Sequence, residues 1–334
     1  MRPNAGHFRM PQSLESETSA SYSRKMTVID WLLDSDPAIR WQVLRDLTDE
    51  PADAVAAERT RIADDGWGAR LLALQDDDGQ WAGGTYFPPL TEEPKDQPWT
   101  ATAFTLQLLR QFGVDPSNKR VRSAVALVRE GSRWEYDGSA FFDGEVEPCI
   151  NGMTVAIGAY FGEDVRGLVD RLLSEQLADG GWNCEAENGS TRGSFNTTIA
   201  VLEGLLEFEQ AAGGSPQIIA ARERAQEYLL DRHLLRRLST GEVTNENWLQ
   251  FSFPTRWYYD ALRALDYLRS AGTVPDERAK EAIELVEAKR GADGRWLLEN
   301  THPGAVHFEL EEGDGKPSRW NTLRAMRVLD WYNG

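Results

Sequence analysis

Two cysteines and a cluster of acids are the residues in this chain best suited to chemistry. The stretch Phe141-Phe142-Asp143-Gly144-Glu145-Val146-Glu147-Pro148-Cys149 carries three carboxylates and a thiol into the start of a helical pattern. A helix N-terminus favours anions and lowers a thiol's pKa. Asp143, Glu145 and Glu147 are therefore candidate acids, and Cys149 is expected to titrate low. The next loop brings Cys184, Glu185 and Glu187 to the start of another helix. Two thiolates, an imidazole and a carboxylate or water suit zinc. His233, His302 and His307 are the imidazoles considered, and His307 is favoured because its long loop can reach across the mouth of the site. The competing reading is two ordinary buried thiols, because no close-spaced ligand pair marks a metal site.

A fourth acid, Asp260, falls inside an apolar helical pattern at 254–269. It reads either as a catalytic acid facing a cavity or, more favoured, as the partner of Arg256 or Arg263, four residues before it and three after. Twelve tryptophans are many for a chain of 334 residues. Trp99, Trp182, Trp257 and Trp320, with Phe142, Phe195 and Tyr258, sit at helix starts or in the loops before them. Most are expected to pack turns onto helices, and some to line a substrate cavity, where aromatic faces steady cations or stack on sugars. Arg192, Arg236, Arg237, Arg256 and Arg319 belong to the same rim and can grip a diphosphate or pair with the loop acids.

The elements that must position these residues repeat. Asp78-Gly79-Gln80-Trp81, Asp179-Gly180-Gly181-Trp182 and Asp293-Gly294-Arg295-Trp296 share one pattern, and Asp137-Gly138 heads a variant ending in Phe141. Asp-Gly makes a tight turn and the aromatic residue drops back onto the helices. Helices close at Gly113, Gly162, Gly213 and Gly272, and caps such as Ser215-Pro216 start the next ones. Helical spans are expected at 31–47, 52–75 with a break near 64–66, 98–112, 118–129, 149–161, 164–176, 194–210, 216–233, 254–269, 275–289 and 318–332. The span 216–233 is apolar on one stripe and 194–210 on two faces, the signatures of outer and inner helices. Six inner helices within an outer ring make an all-α fold, an α/α toroid, and a repeat of this kind is read before other features.

Composition narrows the functions. A net charge of −18 disfavours nucleic acid as a partner. No apolar run approaches the length of a membrane helix, so no integral membrane segment is expected. Two cysteines in so long a chain point to a reducing, cytoplasmic setting rather than a disulfide framework. Residues 1–25 are polar and are expected to be a disordered tail, followed by a single domain over 26–334.

The repeats resemble those of the squalene/terpenoid cyclase and protein prenyltransferase β-subunit superfamily. The resemblance rests on Gln75-Asp76-Asp77-Asp78-Gly79-Gln80-Trp81, on Gln176-Leu177-Ala178-Asp179-Gly180-Gly181-Trp182 and on the weaker unit ending at Trp296, and covers roughly residues 66–332. It implies an α/α barrel whose central cavity takes a long apolar substrate. The family's acid motif, Asp-x-Asp-Asp, is missing, and so is its magnesium motif, Asp-Asp-x-x-Asp. Its zinc pair, Asp-x-Cys, is not reproduced at Cys184, which has Trp182 two residues before it.

Three functions follow as expectations. The first is a terpenoid cyclase- or prenyltransferase-like enzyme acting on an isoprenoid or other small apolar substrate, assisted by zinc at Cys149, Cys184 and His307. The second is a carbohydrate-active toroid enzyme with paired carboxylates. The third is a non-catalytic barrel that binds a lipid or peptide. In each case the site is expected at the N-terminal rim of the inner helices. Phe142, Trp182, Phe195, Trp257, Tyr258 and Trp320 would wall it, with Asp143, Glu145, Glu147 and Asp260 at its polar end.

Overall fold

Helix dominates the computed structural model, which describes Met1, residues 26–89 and residues 97–334. The tail expected over 1–25 lies, Met1 apart, outside the described residues. The helices are α1 (Val28–Leu33), α2 (Pro37–Leu47), α3 (Ala52–Thr60), α4 (Gly66–Ala73), α5 (Thr102–Phe112), α6 (Lys119–Gly131) and α7 (Pro148–Phe161). They continue as α8 (Arg166–Ser174), α9 (Phe195–Ala212), α10 (Pro216–Leu230), α11 (Ala261–Ser270), α12 (Lys280–Ala288) and α13 (Arg319–Asn333). Strands β1 (Trp296–Leu297) and β2 (Pro317–Ser318) form a small antiparallel ribbon before α13.

Helices of two kinds alternate from α5 to α10. In α7 every residue but Cys149 and Tyr160 is buried, α5 is nearly as enclosed, and so is α9 as far as Leu206. The helices between them bury one stripe each, Val121, Ala124, Val125 and Val128 on α6 and Leu168, Val169 and Leu172 on α8. Each mostly buried helix packs on the next, α5 on α7, α7 on α9, α9 on α11 and α11 on α13, and α13 packs on α2. Trp41 of α2 then donates its indole N–H to Phe112 O at the end of α5, 2.7 Å away.

The repeated turn works the same way each time. Gly79, Gly180 and Gly294 have φ of 87°, 88° and 80°, the left-handed region the Asp-Gly turn requires. Trp81, Trp182 and Trp296 are buried and donate their indole N–H to a carbonyl ten residues back, Leu71, Leu172 and Val286, each at 2.7 Å. Their backbone N–H groups bond to Thr102, Thr198 and Thr322 at the start of the following helix. Gln75 and Gln176 close the two fullest units. Each donates to the turn glycine's carbonyl and to one carbonyl of the outer helix, Ala124 or Ala221. Buried amide and indole groups are thus satisfied by a side chain whose sequence position repeats.

Several spans depart from the expected ones. The span 31–47 is divided between α1 and α2, 98–112 begins only at Thr102, and 275–289 opens with a 3₁₀ turn at Glu277–Ala279. The break in 52–75 is a 3₁₀ turn at Arg61–Ala63 followed by a new helix at Gly66. The helix expected from 254 starts at Ala261, because Arg256 has a φ of 55° that no α-helix tolerates. Asp260 is consequently the N-cap of α11 and accepts the Arg263 N–H at 2.7 Å, rather than lying mid-helix.

Candidate functional site

The two cysteines meet. Cys149 Sγ and Cys184 Sγ are 3.0 Å apart, although 35 residues separate them. Glu147 Oε2 lies 3.4 Å from Cys149 Sγ, and the ligand atoms of Glu147, Cys149 and Cys184 all fall within 4.8 Å of one another. The Thr197 hydroxyl is 3.4 Å from Cys184 Sγ. Cys149 and Thr197 sit in the first turns of α7 and α9, and Cys184 sits in a 3₁₀ turn that Asn183 caps before α9.

Buried polar side chains hold the acidic loop in place. Asn151, fully buried on α7, accepts the Glu145 N–H at 2.8 Å and donates to Glu145 O at 2.7 Å. Arg171 donates to Glu145 O and Val146 O at 2.7 and 2.8 Å. Glu145 in turn accepts the Glu147 N–H at 2.9 Å. Sequence reasoning did not single out Asn151, Arg171, Thr197 or Tyr86. An asparagine inside an otherwise apolar helix was the available signal for the first.

The thiols split in their acidity. Cys149 is pushed well above the usual thiol range, first by its contact with Cys184, with burial and the Glu147 charge pushing the same way. Cys184 is lowered, chiefly by the same contact, with Thr197 helping. The expectation of a low Cys149 is therefore corrected. Its neighbours outweigh the helix dipole, and Cys184 is the better thiolate.

The other expected site residues are dispersed. His307 stands on Thr105, Nε2 to Oγ1 3.0 Å, and burial lowers its pKa. It is not part of the cysteine cluster. His302 stacks on Tyr258 at 4.0 Å and is lowered to about 4, mainly by burial, and His233 faces Arg278 O. Asp143 is exposed. Asp260 is fully enclosed, its pKa raised by burial, with Arg324 3.9 Å away. The partner expected for it is elsewhere engaged, since the Arg263 guanidinium grips Glu203 at 2.7 Å.

Nor do the aromatic residues form one wall. Trp182 is spent on its turn, Phe142 packs on Phe141, and Phe195 packs among Tyr228, Trp248 and Tyr259. Trp320 stacks on Phe253 at 4.2 Å. Arg319 donates to Asp34 O at 2.9 Å and lies over Trp31, so it serves the N-terminal helices instead of a rim cluster. Arg236 pairs with Glu281.

A smaller group does gather beside the cysteines. Cys149, Tyr86, Ile150, Met153, Ala156, Ala200 and Trp257 line one narrow slot of about 10 Å³, together with the polar Gln107, Arg110, Glu203, Arg256 and Arg263. Arg256 is 6% exposed; its carbonyl accepts from Arg263, while its guanidinium forms no ion pair among the described residues, although the Glu309 charge acts on it. Burial pulls its pKa down to about 9, and its guanidinium lies 5.1 Å from the ring of Trp99. Trp257 and Tyr258 stack at 3.8 Å above it in sequence. A second space of about 50 Å³ adjoins Arg256, lined by Trp99, His302 and His307. The site therefore offers two thiols, a carboxylate, a buried cation and apolar walls.

No helix among the described residues is long and apolar enough to cross a membrane. No protein-family model and no curated protein matches this chain.

Proposed function

We propose that the chain is an α/α toroid of the terpenoid cyclase and prenyltransferase kind, and that it is an enzyme centred on zinc held by Glu147, Cys149 and Cys184. One observation carries the reading: two sulfurs and a carboxylate oxygen from separate loops within 4.8 Å. The succession of buried helices, with α13 packed on α2, supports the toroid. Bonds of about 2.3 Å in a tetrahedron set two sulfurs roughly 3.8 Å apart. The 3.0 Å pair reaches that by opening less than about 1 Å. Three protein ligands leave a fourth position for substrate, as in catalytic rather than structural sites. The spacing Glu147-Pro148-Cys149 is carboxylate-x-Cys, the pattern sought without success at Cys184.

Zinc there would supply a Lewis acid that lowers the pKa of a bound thiol, hydroxyl or water. The chain's own residues do the rest. Asn151 and Arg171 fix the ligand loop, and the Thr197 hydroxyl steadies the Cys184 sulfur. Ile150, Met153, Ala156 and Trp257 give the slot apolar sides, and Arg256 faces the same slot as a cation for an anionic end of the substrate. The substrate class is small and apolar with one anionic end, isoprenoid-like. The walls must part to admit it, which the unbranched Met153 side chain eases.

The test is elemental analysis of protein purified under reducing conditions without added metal. Near-stoichiometric zinc is expected, with loss in Cys149→Ser and Cys184→Ser. Cobalt substitution should give thiolate charge-transfer bands. Zinc below about a tenth of an equivalent sinks the metal reading. If the intact mass then also shows an oxidised pair, the short sulfur contact marks a redox dithiol instead.

A further inference from the structure

A cavity of about 750 Å³ opens among the buried helices. Its wall runs from the C-terminal parts of α5, α7 and α9, with Gln111, Gly113, Tyr160 and Gln210, to the N-terminal halves of α11 and α13, with Arg263 and Trp320. Cys149 and Thr197 mark the N-terminal ends of α7 and α9. Seven arginines and four carboxylates line this cavity, in a chain whose net charge is −18.

The acids are largely taken. Glu203 holds Arg263, Glu207 holds Arg110 at 2.8 Å, and Asp266 holds Arg269 and Arg327. Arg59 forms no ion pair among the described residues, although its charge reaches Asp115. Its Nε donates to Gly113 O and its Nη2 to the Tyr160 hydroxyl. Two donors on the lining are orphaned outright: Arg110 Nε and the indole Nε1 of Trp320, a residue 2% exposed, are both buried without an acceptor. The negative ends of the helices explain Arg59's bond to Gly113 O. They do not explain two buried N–H groups with nothing to bind, which proteins seldom leave so.

We infer that this cavity binds a small polyanion bearing phosphate or carboxylate oxygens, which accepts from the donors of Arg59, Arg110 and Trp320. Planar guanidinium forks fit both kinds of oxyanion. The volume falls in the roughly 300–1,000 Å³ range of small-molecule sites. The donors it uses are not the proposed zinc ligands, although Arg110, Glu203 and Arg263 line both this cavity and the slot beside the cysteines.

Calorimetry on the full chain tests it, with inorganic diphosphate and citrate as separate probes. At least one should bind saturably and more weakly as salt rises, and the one that binds identifies the oxyanion class. Arg59→Gln should weaken binding about tenfold or more, the scale of one charge-assisted hydrogen bond. Gln210→Glu, at an exposed position on the lining, adds a negative charge without removing a structural contact and should weaken it comparably. Cys149→Ser should bind like wild type even if it has lost zinc. The inference is overturned if neither probe binds at millimolar concentration. It is equally overturned if binding survives both lining changes or disappears in Cys149→Ser.

Discussion

Asp266 of α11 is where a single substitution should separate the protein's stability from its capacity to bind anions. Its carboxylate lies 3.1 Å from Arg269, 2.8 Å from Arg327 Nε and 3.7 Å from Arg324, and its side chain is 14% exposed. Arg327 also reaches Gln42 and Asp46, so the cluster ties α11 and α13 to α2. Removing one partner of a buried ion pair typically costs about 3–5 kcal/mol. Unfolding entropy of about 2.1 cal/mol/K per residue gives roughly 0.7 kcal/mol/K for 334 residues. Asp266→Asn should therefore lower the midpoint in calorimetry by roughly 4–7 °C at neutral pH. Burial alone would raise the Asp266 pKa, but Arg327 and Arg269 outweigh it and hold the group well below its ordinary 3.8. A group lowered on folding contributes stability above its unfolded pKa and loses it as pH falls toward the folded one. The gap between wild type and variant should thus be constant near neutrality and narrow below about pH 4. The same change frees arginines on the cavity wall, so diphosphate or citrate should bind more tightly while the fold weakens. A midpoint shift under about 1 °C, or a gap that persists unchanged at acid pH, would refute the assignment of Asp266 as the charge that joins these helices.

Other outcomes follow from the same geometry. As pH rises, iodoacetamide should modify Cys184 before Cys149, read by peptide mass spectrometry, because their contact lowers the Cys184 pKa and raises that of Cys149; simultaneous modification would contradict the pairing. Glu147→Gln should keep the thiol pair and lower zinc affinity, measured by chelator competition, about 70–1,000-fold if four ligands share roughly 10–16 kcal/mol equally. Gly152→Ala should destabilise the fold by about 1–3 kcal/mol or more in denaturant melts, since its Cβ would meet the Ala200 and Val201 backbone at 2.7 Å; a neutral result would mean that α7 and α9 can slide apart.

What the sequence made legible was local. Gln75, Trp81, Gln176, Trp182 and Trp296 declare their units because turn, amide and indole serve backbone groups at fixed offsets, so spacing encodes geometry. The meeting of Cys149 and Cys184 was also foreseeable, since Cys149 opens one buried helix and Cys184 precedes its neighbour. Three things were hidden. The left-handed backbone at Arg256 shifts the start of α11, and a Trp-Tyr-Tyr run gives no sign of it. The third member of the cysteine cluster is Glu147 rather than His307, because two residues of chain settle that contact, whereas the fold of a long loop sets where His307 lands on Thr105. The arginine-lined cavity draws its residues from seven helices and both halves of the chain, a pattern without any sequence period.

The position of the cysteine pair follows from glycine. Gly152 on α7 and Gly204 on α9 leave no room for side chains, and a Cβ on Gly204 would come within 2.3 Å of Gly152 O. Such contact lets the two backbones touch, as small residues do at close helix crossings. Cys149 stands one turn before Gly152, and Thr197 stands two turns before Gly204. Closing the helices at their glycines therefore carries Cys149 toward the loop of Cys184, and the same approach squeezes the neighbouring slot to about 10 Å³. Toward the opposite ends, Tyr160 of α7 and Glu207 and Gln210 of α9 line a space that stays open at about 750 Å³. One pair of small residues thus accounts for a tight thiol cluster at one end of α7 and α9. It leaves the polar cavity at the other end as the place where a ligand enters without displacing the core.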